Sequence, residues 1–469
     1  MKDYELIVIG AGPGGYVAAI RAAQLGMKTA VIEKQDVGGT CLNRGCVPTK
    51  ALLHSAELAS ELKEAGTFGV NVEGVTLDFN KMHERKQEVV EKLRSGIEQL
   101  LKANKIDLIR GQASITGQGS VKVIGDDGEK SLTCDRILIA TGSRPSVPPI
   151  PGLNLPGVVT SDEILKESSH AYESLIIIGG GVIGMEFATF YNAIGCKVTV
   201  IEAMDRIIPT MDKEIAQNLG MILKKKSVKI NAGCRVESVE KNEETGALKV
   251  SYTCKGKSEA AEAEAVLVAI GRKPNTEGLL SDGIQLDMER GRIIVDKKFE
   301  TSLEKVYAIG DVSSKIQLAH VASAQGAAAV EMMAGRDTGG DLKAVPGCIY
   351  TSPEIASVGI TADEAKEAGK AVKTGKFVMF SNSRTMIKNG DRGFIKVVAD
   401  EHTGEVLGAQ LMCERATDMI SELTTAVANN LTVEQMLKVM RPHPTFNEGI
   451  SEAFEDVEGA AIHTAPKRK

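Results

Sequence analysis

Two cysteines stand five positions apart in GGTCLNRGCVPTK, residues 38–50. Gly38, Gly39 and Gly45 make the segment a turn-rich loop, and Val47-Pro48 opens the apolar periodic run VPTKALLHSAELASEL. Proline is favoured in the first turn of a helix, so Cys46 is expected at or beside a helix N-terminus, where the dipole favours thiolate. Cys41 lies one short loop upstream, near enough to close a small ring with Cys46 or to attack a mixed disulfide. The pair is read as redox-active. A structural disulfide closing so short a loop yields little stabilisation, and a zinc site wants a second C-x-x-C or a histidine pair, which is missing. Two unrelated core thiols are the remaining alternative, but they leave the glycines unexplained. The other cysteines, Cys134, Cys196, Cys234, Cys254, Cys348 and Cys413, are scattered singly and are expected to be reduced core thiols.

Near the end of the chain lie residues suited to proton transfer. Of seven histidines, His443 is the one held between two prolines, in RPHPTFNEG, where Pro442 and Pro444 restrict the backbone. A thiol substrate needs a base, and histidine exchanges protons near neutral pH. Thr445 to Glu448 fits T-x-x-E, a capping box opening the helix FNEGISEAF.

These groups need elements to position them, and the strongest organisational signal is an internal repeat. LIVIGAGPGG begins at Leu6 and LIIIGGGVIG at Leu175, each a buried-strand run entering G-x-G-x-x-G. At matching offsets AVIEK ends a second strand at Glu33 and TVIEA ends one at Glu202, each roughly 20 residues past the third glycine. Helical stretches closed by glycine lie between. Gly10 and Gly179 serve the tight turn, Gly12 and Gly181 admit a pyrophosphate, and Gly15 and Gly184 let helix pack on strand. The helix N-terminus supplies N–H groups for the phosphates, and the glutamate accepts from ribose hydroxyls. A carboxylate repels a 2′-phosphate, so Glu202 argues for NAD over NADP if the second turn binds nicotinamide. The chain is thus expected to bind two dinucleotides. Hydride from NADH can pass to a flavin and on to a disulfide, and Cys41 and Cys46 follow closely on Glu33.

With 469 residues, 43% hydrophobic and 25% charged, the chain is long enough for two to four domains. A net charge of −6 without long charge blocks leaves no footprint for nucleic acid or an anionic membrane. No apolar run of about 18 residues occurs, and the one in MKDYELIVI is too short for a signal sequence, so a cytoplasmic protein is expected. The fold class is α/β: two Rossmann-like dinucleotide-binding domains plus an α+β C-terminal dimerisation domain. The first domain is expected over 1–145 and 273–345, the second over 146–272 after the proline-rich PSVPPIPGLNLPG, and the third over 346–469.

GGTCLNRGCVPTK, the two glycine turns, ATGSRP (140–145), VAIGRKPN (268–275), VYAIGDV (306–312) and HPTFNE (443–448) run in order over nearly the whole chain. Together they resemble the pyridine nucleotide–disulfide oxidoreductases, and within that family the lipoamide-linked dehydrogenases. The resemblance implies FAD on the first unit, through Gly10, Gly12, Gly15, Glu33, Lys50, Ala113, Gly142, Asp311 and Ala319. It implies NAD on the second, through Gly179, Gly181, Gly184, Glu202, Val236 and Gly271. Lys50 and Glu186 would pair beside the flavin, the ammonium stabilising negative charge on the reduced ring; by residue type alone they are helix-surface groups. Glu448 would orient His443, a role that competes with the capping box.

The implied reaction is oxidation of protein-bound dihydrolipoamide. Proton transfer to His443 frees a substrate thiolate that attacks Cys41, and Cys46 is left as thiolate against the flavin, which passes hydride to NAD. The implied partners are a second copy of the chain, whose cysteines the histidine serves, and a lipoyl-bearing protein of a 2-oxo acid dehydrogenase or glycine cleavage complex. No metal is expected. A glutathione-type disulfide reductase using NADPH is the rival, which Glu202 and the small Val182 disfavour; a scaffold would not need Cys41, Cys46 or His443, and an NADH oxidase would normally use one cysteine. Arg44, Val47, Thr49 and Arg441 depart from residues more usual in the dehydrogenases and bear on substrate preference.

Overall fold

The structure is a computed structural model that describes residues 2–166, 170–336, 342, 344–390 and 392–465, and every structural statement below concerns these residues. The chain forms two compact units, one of residues 1–149, 153–172 and 267–341, the other of 150–152, 173–266 and 342–469.

In the first unit β1 (Tyr4–Ile9) runs through a tight turn into α1 (Pro13–Gln24) and back through β2 (Thr29–Glu33). The short α2 (Gly39–Arg44) and the longer α3 (Cys46–Glu64) follow, then α4 (Phe79–Ala103). β2, β1 and the end of the Gly128–Ile139 strand pair in parallel, flanked by Asp107–Arg110 and Val306–Ala308. Period-two alternation sends Leu6 and Val8 of β1 into a core with Ala18, Ala22, Val90 and Leu101 of the helices. Ile7 and Ile9 go to the opposite face, with Ile115, Val123 and Ile137. A strand buried on both faces explains the unbroken apolar run in the sequence.

The second unit repeats the arrangement with Ser174–Ile178, Lys197–Glu202 and Lys229–Ala232 in parallel and the helix Val182–Ala193 after the turn. An antiparallel layer of Cys234–Lys241, Leu248–Cys254 and Lys257–Ala263 follows. The C-terminal part is an antiparallel sheet ordered Gly347–Ile349, Ile355–Gly359, Val406–Met412, Phe394–Asp400, Val372–Val378. Helices Ala416–Ala428 and Glu448–Val457 bury Leu423, Ile450 and Phe454 against it.

Two expectations from the sequence are corrected here. Cys41 is not in a loop: Gly39–Arg44 is helical, because the Asn43 amide donates to the Val37 and Gly39 carbonyls at 2.9 Å and Gly45 supplies the break before α3. Cys234 and Cys254 are not separate reduced thiols either; they face each other across an antiparallel pair and form a disulfide. Sequence separation concealed a contact that strand register creates. Cys134, Cys196 and Cys413 remain buried and free, and burial pushes the first two thiols up to about 11 and about 12, so they are inert.

Candidate active site

Cys41 lies within the short helix α2 and Cys46 begins α3, and the two form a disulfide with Cα atoms 4.7 Å apart. Gly45 makes this corner, since a Cβ there would lie 3.0 Å from the Thr40 carbonyl oxygen. Cys46 occupies the N-terminus of the 19-residue α3, where unpaired N–H groups and the dipole stabilise a thiolate. The segment is also tied to the first glycine turn. Gly38 N donates to the Ala11 carbonyl at 2.8 Å, and any Cβ on Gly39 would lie 2.7 Å from Gly12 Cα. The reducible sulfurs are thus set beside a phosphate-type turn by backbone contacts.

Both glycine turns carry the same geometry. Gly10 and Gly179 have φ of +103° and +111°, in the region only glycine adopts freely. A Cβ on Gly15 would lie 1.8 Å from the Gly10 carbonyl oxygen, and one on Gly184 2.0 Å from that of Gly179, so helix and strand touch backbone to backbone. Gly181 instead borders open space, and a Cβ on Gly12 would meet only Gly39 Cα at 3.9 Å, an ordinary contact, which leaves room for a phosphate group at both. Glu33 accepts from Ala11 N at 2.7 Å and Gln35 N at 2.8 Å; Glu202 accepts from Gly180 N and from Met204 N at 2.6 Å. Each carboxylate oxygen thereby keeps a lone pair for a ribose hydroxyl. Gly15→Val is expected to abolish nucleotide retention on the first unit, giving colourless protein on purification; absorbance near the flavin bands checks it.

The other expected cofactor residues fall as follows. In the first unit Ala113 is buried in the strand Gln112–Gly117, and Ala319 opens the helix Ala319–Met333. Asp311 accepts from the Ser143 hydroxyl at 2.5 Å. Gly142 and Gly271 have positive φ, and their carbonyls accept from Asn275 N and Ser146 N at 2.9 Å. Lys50 lies one turn beyond Cys46 and is half-buried. In the second unit Val236 sits beside a bulge in its strand, and buried Glu186 accepts from Tyr350 N at 3.1 Å.

Arg44, a departure in the redox segment, has a structural account within the first unit. It bonds Gln35 and lies 3.7 Å from Asp162, which in turn is 3.8 Å from Arg272. Arg272 Nε donates to the Ser143 hydroxyl at 2.8 Å, so a polar chain runs from the cysteine segment to Asp311. No sequence spacing signals it, because its members come from five separate stretches.

In the C-terminal part His443 Nδ1 lies 2.8 Å from Glu448 Oε1, while Glu448 Oε2 accepts from Thr445 N at 2.8 Å. The carboxylate thus meets both His443 and the Thr445 backbone, but the capping box weighed from the sequence does not form: the helix begins at Glu448 with Asn447 as its N-cap and no side-chain cap, and the Thr445 hydroxyl donates to the Pro442 carbonyl. A carboxylate only accepts, so Nδ1 carries the proton and Nε2 of the exposed ring is the free base. Burial raises the Glu448 pKa, but the Thr445 N–H and His443 outweigh it and hold the group below its ordinary value. A second pair went unnoticed in the sequence: His463 Nδ1 is 2.6 Å from Glu452 Oε1, one helical turn past Glu448. Glu452 raises the His463 pKa by hydrogen bonding and charge.

Residues 4–326 match the pyridine nucleotide-disulphide oxidoreductase family and residues 345–454 its dimerisation domain. The chain belongs to this family of oxidoreductases. It is 43% identical to dihydrolipoyl dehydrogenase of Bacillus subtilis (strain 168), over 98% of this chain and 99% of that one. It is 41% identical to dihydrolipoyl dehydrogenase of Thermus scotoductus, over 99% of each. Among solved structures it is similar to LpdA of Mycobacterium tuberculosis (TM-score 0.88, 27% identity, 96% of this chain and 99% of that one). It is likewise similar to the HOCl-induced flavoprotein disulfide reductase RclA of Escherichia coli (TM-score 0.84, 31% identity, 96% and 99%). FAD and NAD are its cofactors, and the two glycine turns, each open at its middle glycine and backed by a glutamate, fit dinucleotides. Among the described residues no helix is long and apolar enough to cross a membrane, and no cluster of His, Cys, Asp or Glu could hold a metal ion.

Proposed function

We propose that this chain is a dihydrolipoyl dehydrogenase, oxidising protein-bound dihydrolipoamide to lipoamide with reduction of NAD+. It works as a cytoplasmic homodimer on a lipoyl-bearing protein of a 2-oxo acid dehydrogenase or glycine cleavage complex. The observation that carries the reaction is the Cys41–Cys46 disulfide tied through Gly38 and Gly39 to the first nucleotide turn. The relatives of that name support the substrate.

His443 Nε2 takes a proton from one substrate thiol, and Glu448 holds the ring and stabilises the imidazolium. The thiolate attacks Cys41 Sγ, the S–S bond breaks, and Cys46 leaves as a thiolate stabilised by the α3 N-terminus. The second substrate sulfur then displaces Cys41, closing the cyclic disulfide and leaving both cysteines reduced. Bound FAD supplies a two-electron acceptor between this dithiol and NAD+. Glu202 receives the ribose hydroxyls and excludes a 2′-phosphate.

Turnover of the purified yellow protein with dihydrolipoamide and NAD+ is expected to exceed that with glutathione disulfide and NADPH by about 10²-fold or more in kcat/KM. The opposite preference overturns the substrate assignment. Glu202→Gln is expected to weaken NAD+ about 10-fold and to narrow the NAD+/NADP+ discrimination, as KM values for both nucleotides will report.

A further inference from the structure

The second disulfide lies where no redox role is assigned. Cys234 and Cys254 are direct register partners with Cα atoms 4.3 Å apart, the close pairing of an antiparallel ladder. Cys234 is buried, whereas Cys254 is partly exposed at the base of a two-residue hairpin, Lys255-Gly256, whose residues both have positive φ. Lys255 and Lys257 flank it in the chain and are exposed. Cys234 follows the turn at Gly233, whose N–H donates to the Met204 carbonyl at 2.7 Å. Met204 N in turn donates to Glu202, which also accepts from Gly180 in the second glycine turn. The bridge thus starts one residue from the turn that hydrogen-bonds the corner holding the proposed ribose-binding carboxylate.

We propose that Cys234–Cys254 is a second, reversible dithiol–disulfide couple that exchanges with small vicinal dithiols and sets how tightly the Glu202 corner holds NAD. This rests on the second unit being the NAD holder. In the exchange a thiolate of the dithiol attacks Cys254 Sγ, the protein S–S bond breaks, and Cys234 leaves as a thiolate. The second thiol of the dithiol then displaces Cys254. The small molecule ends as a cyclic disulfide, the protein gains two electrons, and the two protons of the dithiol end on the two cysteines. The bridged form holds the corner rigid and binds NAD more tightly, and by linkage NAD favours the bridge by the same factor.

The test equilibrates FAD-loaded protein at set ratios of dihydrolipoamide to lipoamide, traps thiols by alkylation, and reads the Cys234–Cys254 peptide by mass separately from the Cys41–Cys46 peptide. NAD+ affinity is measured in parallel on wild type, C254S and the C234S/C254S double variant. The expected result is a reversible change in bridging with the ratio, an affinity about 5-fold higher when bridged, and the lower affinity in both variants at every ratio. Free thiols or an intact bridge at all ratios, or one affinity for both forms, overturn the inference alone. Absence of NAD+ binding in both forms overturns it together with the assignment of the second unit.

Discussion

Cys41→Ser is expected to lower dihydrolipoamide–NAD+ turnover by at least about 10⁴-fold, the scale on which enzymes respond to loss of a nucleophile-type partner that nothing nearby replaces. Serine is nearly the size of cysteine and keeps the helix Gly39–Arg44, so the loss is chemical. Without Cys41 Sγ the substrate thiolate has no disulfide to attack, and Cys46 has no sulfur to leave from. Flavin retention should not change, because the contacts that join this segment to the glycine turn are made by backbone at Gly38 and Gly39. The check has two arms: dithiol turnover falls, while NADH oxidation by an artificial one-electron acceptor, which bypasses the sulfurs, stays within a few-fold of wild type. Loss of both activities together with the yellow colour would mean that Cys41 acts in folding.

The sequence was informative wherever function depends on local spacing. Glycine turns, the strand-end glutamates and the cysteine pair are each encoded within a few residues of the backbone they serve; the turns form as expected and the two sulfurs close a small ring, although Cys41 stands in a helix rather than a loop. It was silent where contacts are made by register or by distant segments. Cys234 and Cys254 meet only because the antiparallel pairing makes them direct register partners, two residues short of the bulge at Val236/Ser238. Arg44, Asp162, Arg272, Ser143 and Asp311 come together from stretches that share no motif. Helix at Gly39–Arg44 was missed because Gly38, Gly39 and Gly45 outweigh the five residues between them in a local propensity argument, whereas Asn43 supplies the missing carbonyl partner. His463 was missed because its partner is eleven residues upstream and no motif joins them, whereas the resemblance over HPTFNE pairs Glu448 with His443.

His443→Gln is expected to lower kcat/KM for dihydrolipoamide by about 10²- to 10⁴-fold, the range for removing a general base. The effect should be confined to the half-reaction that consumes dithiol, since NADH oxidation by an artificial acceptor needs no proton at Nε2. Glu448→Gln should cost less, because the amide can still meet Nδ1 through its carbonyl oxygen but no longer offers a negative charge to the imidazolium. The pH dependence follows from the direction of the Glu448 shift. Its folded pKa lies below the ordinary carboxylate value, so the favourable charge on His443 is fully present above that ordinary value and disappears only as pH falls through the depressed one. At and above neutral pH the carboxylate is therefore charged throughout, so Glu448→Gln should lose the same fraction of kcat/KM at every pH in that range. A loss that changes steadily across neutral pH would mean that the Glu448 carboxylate is not the constant charge assigned to it.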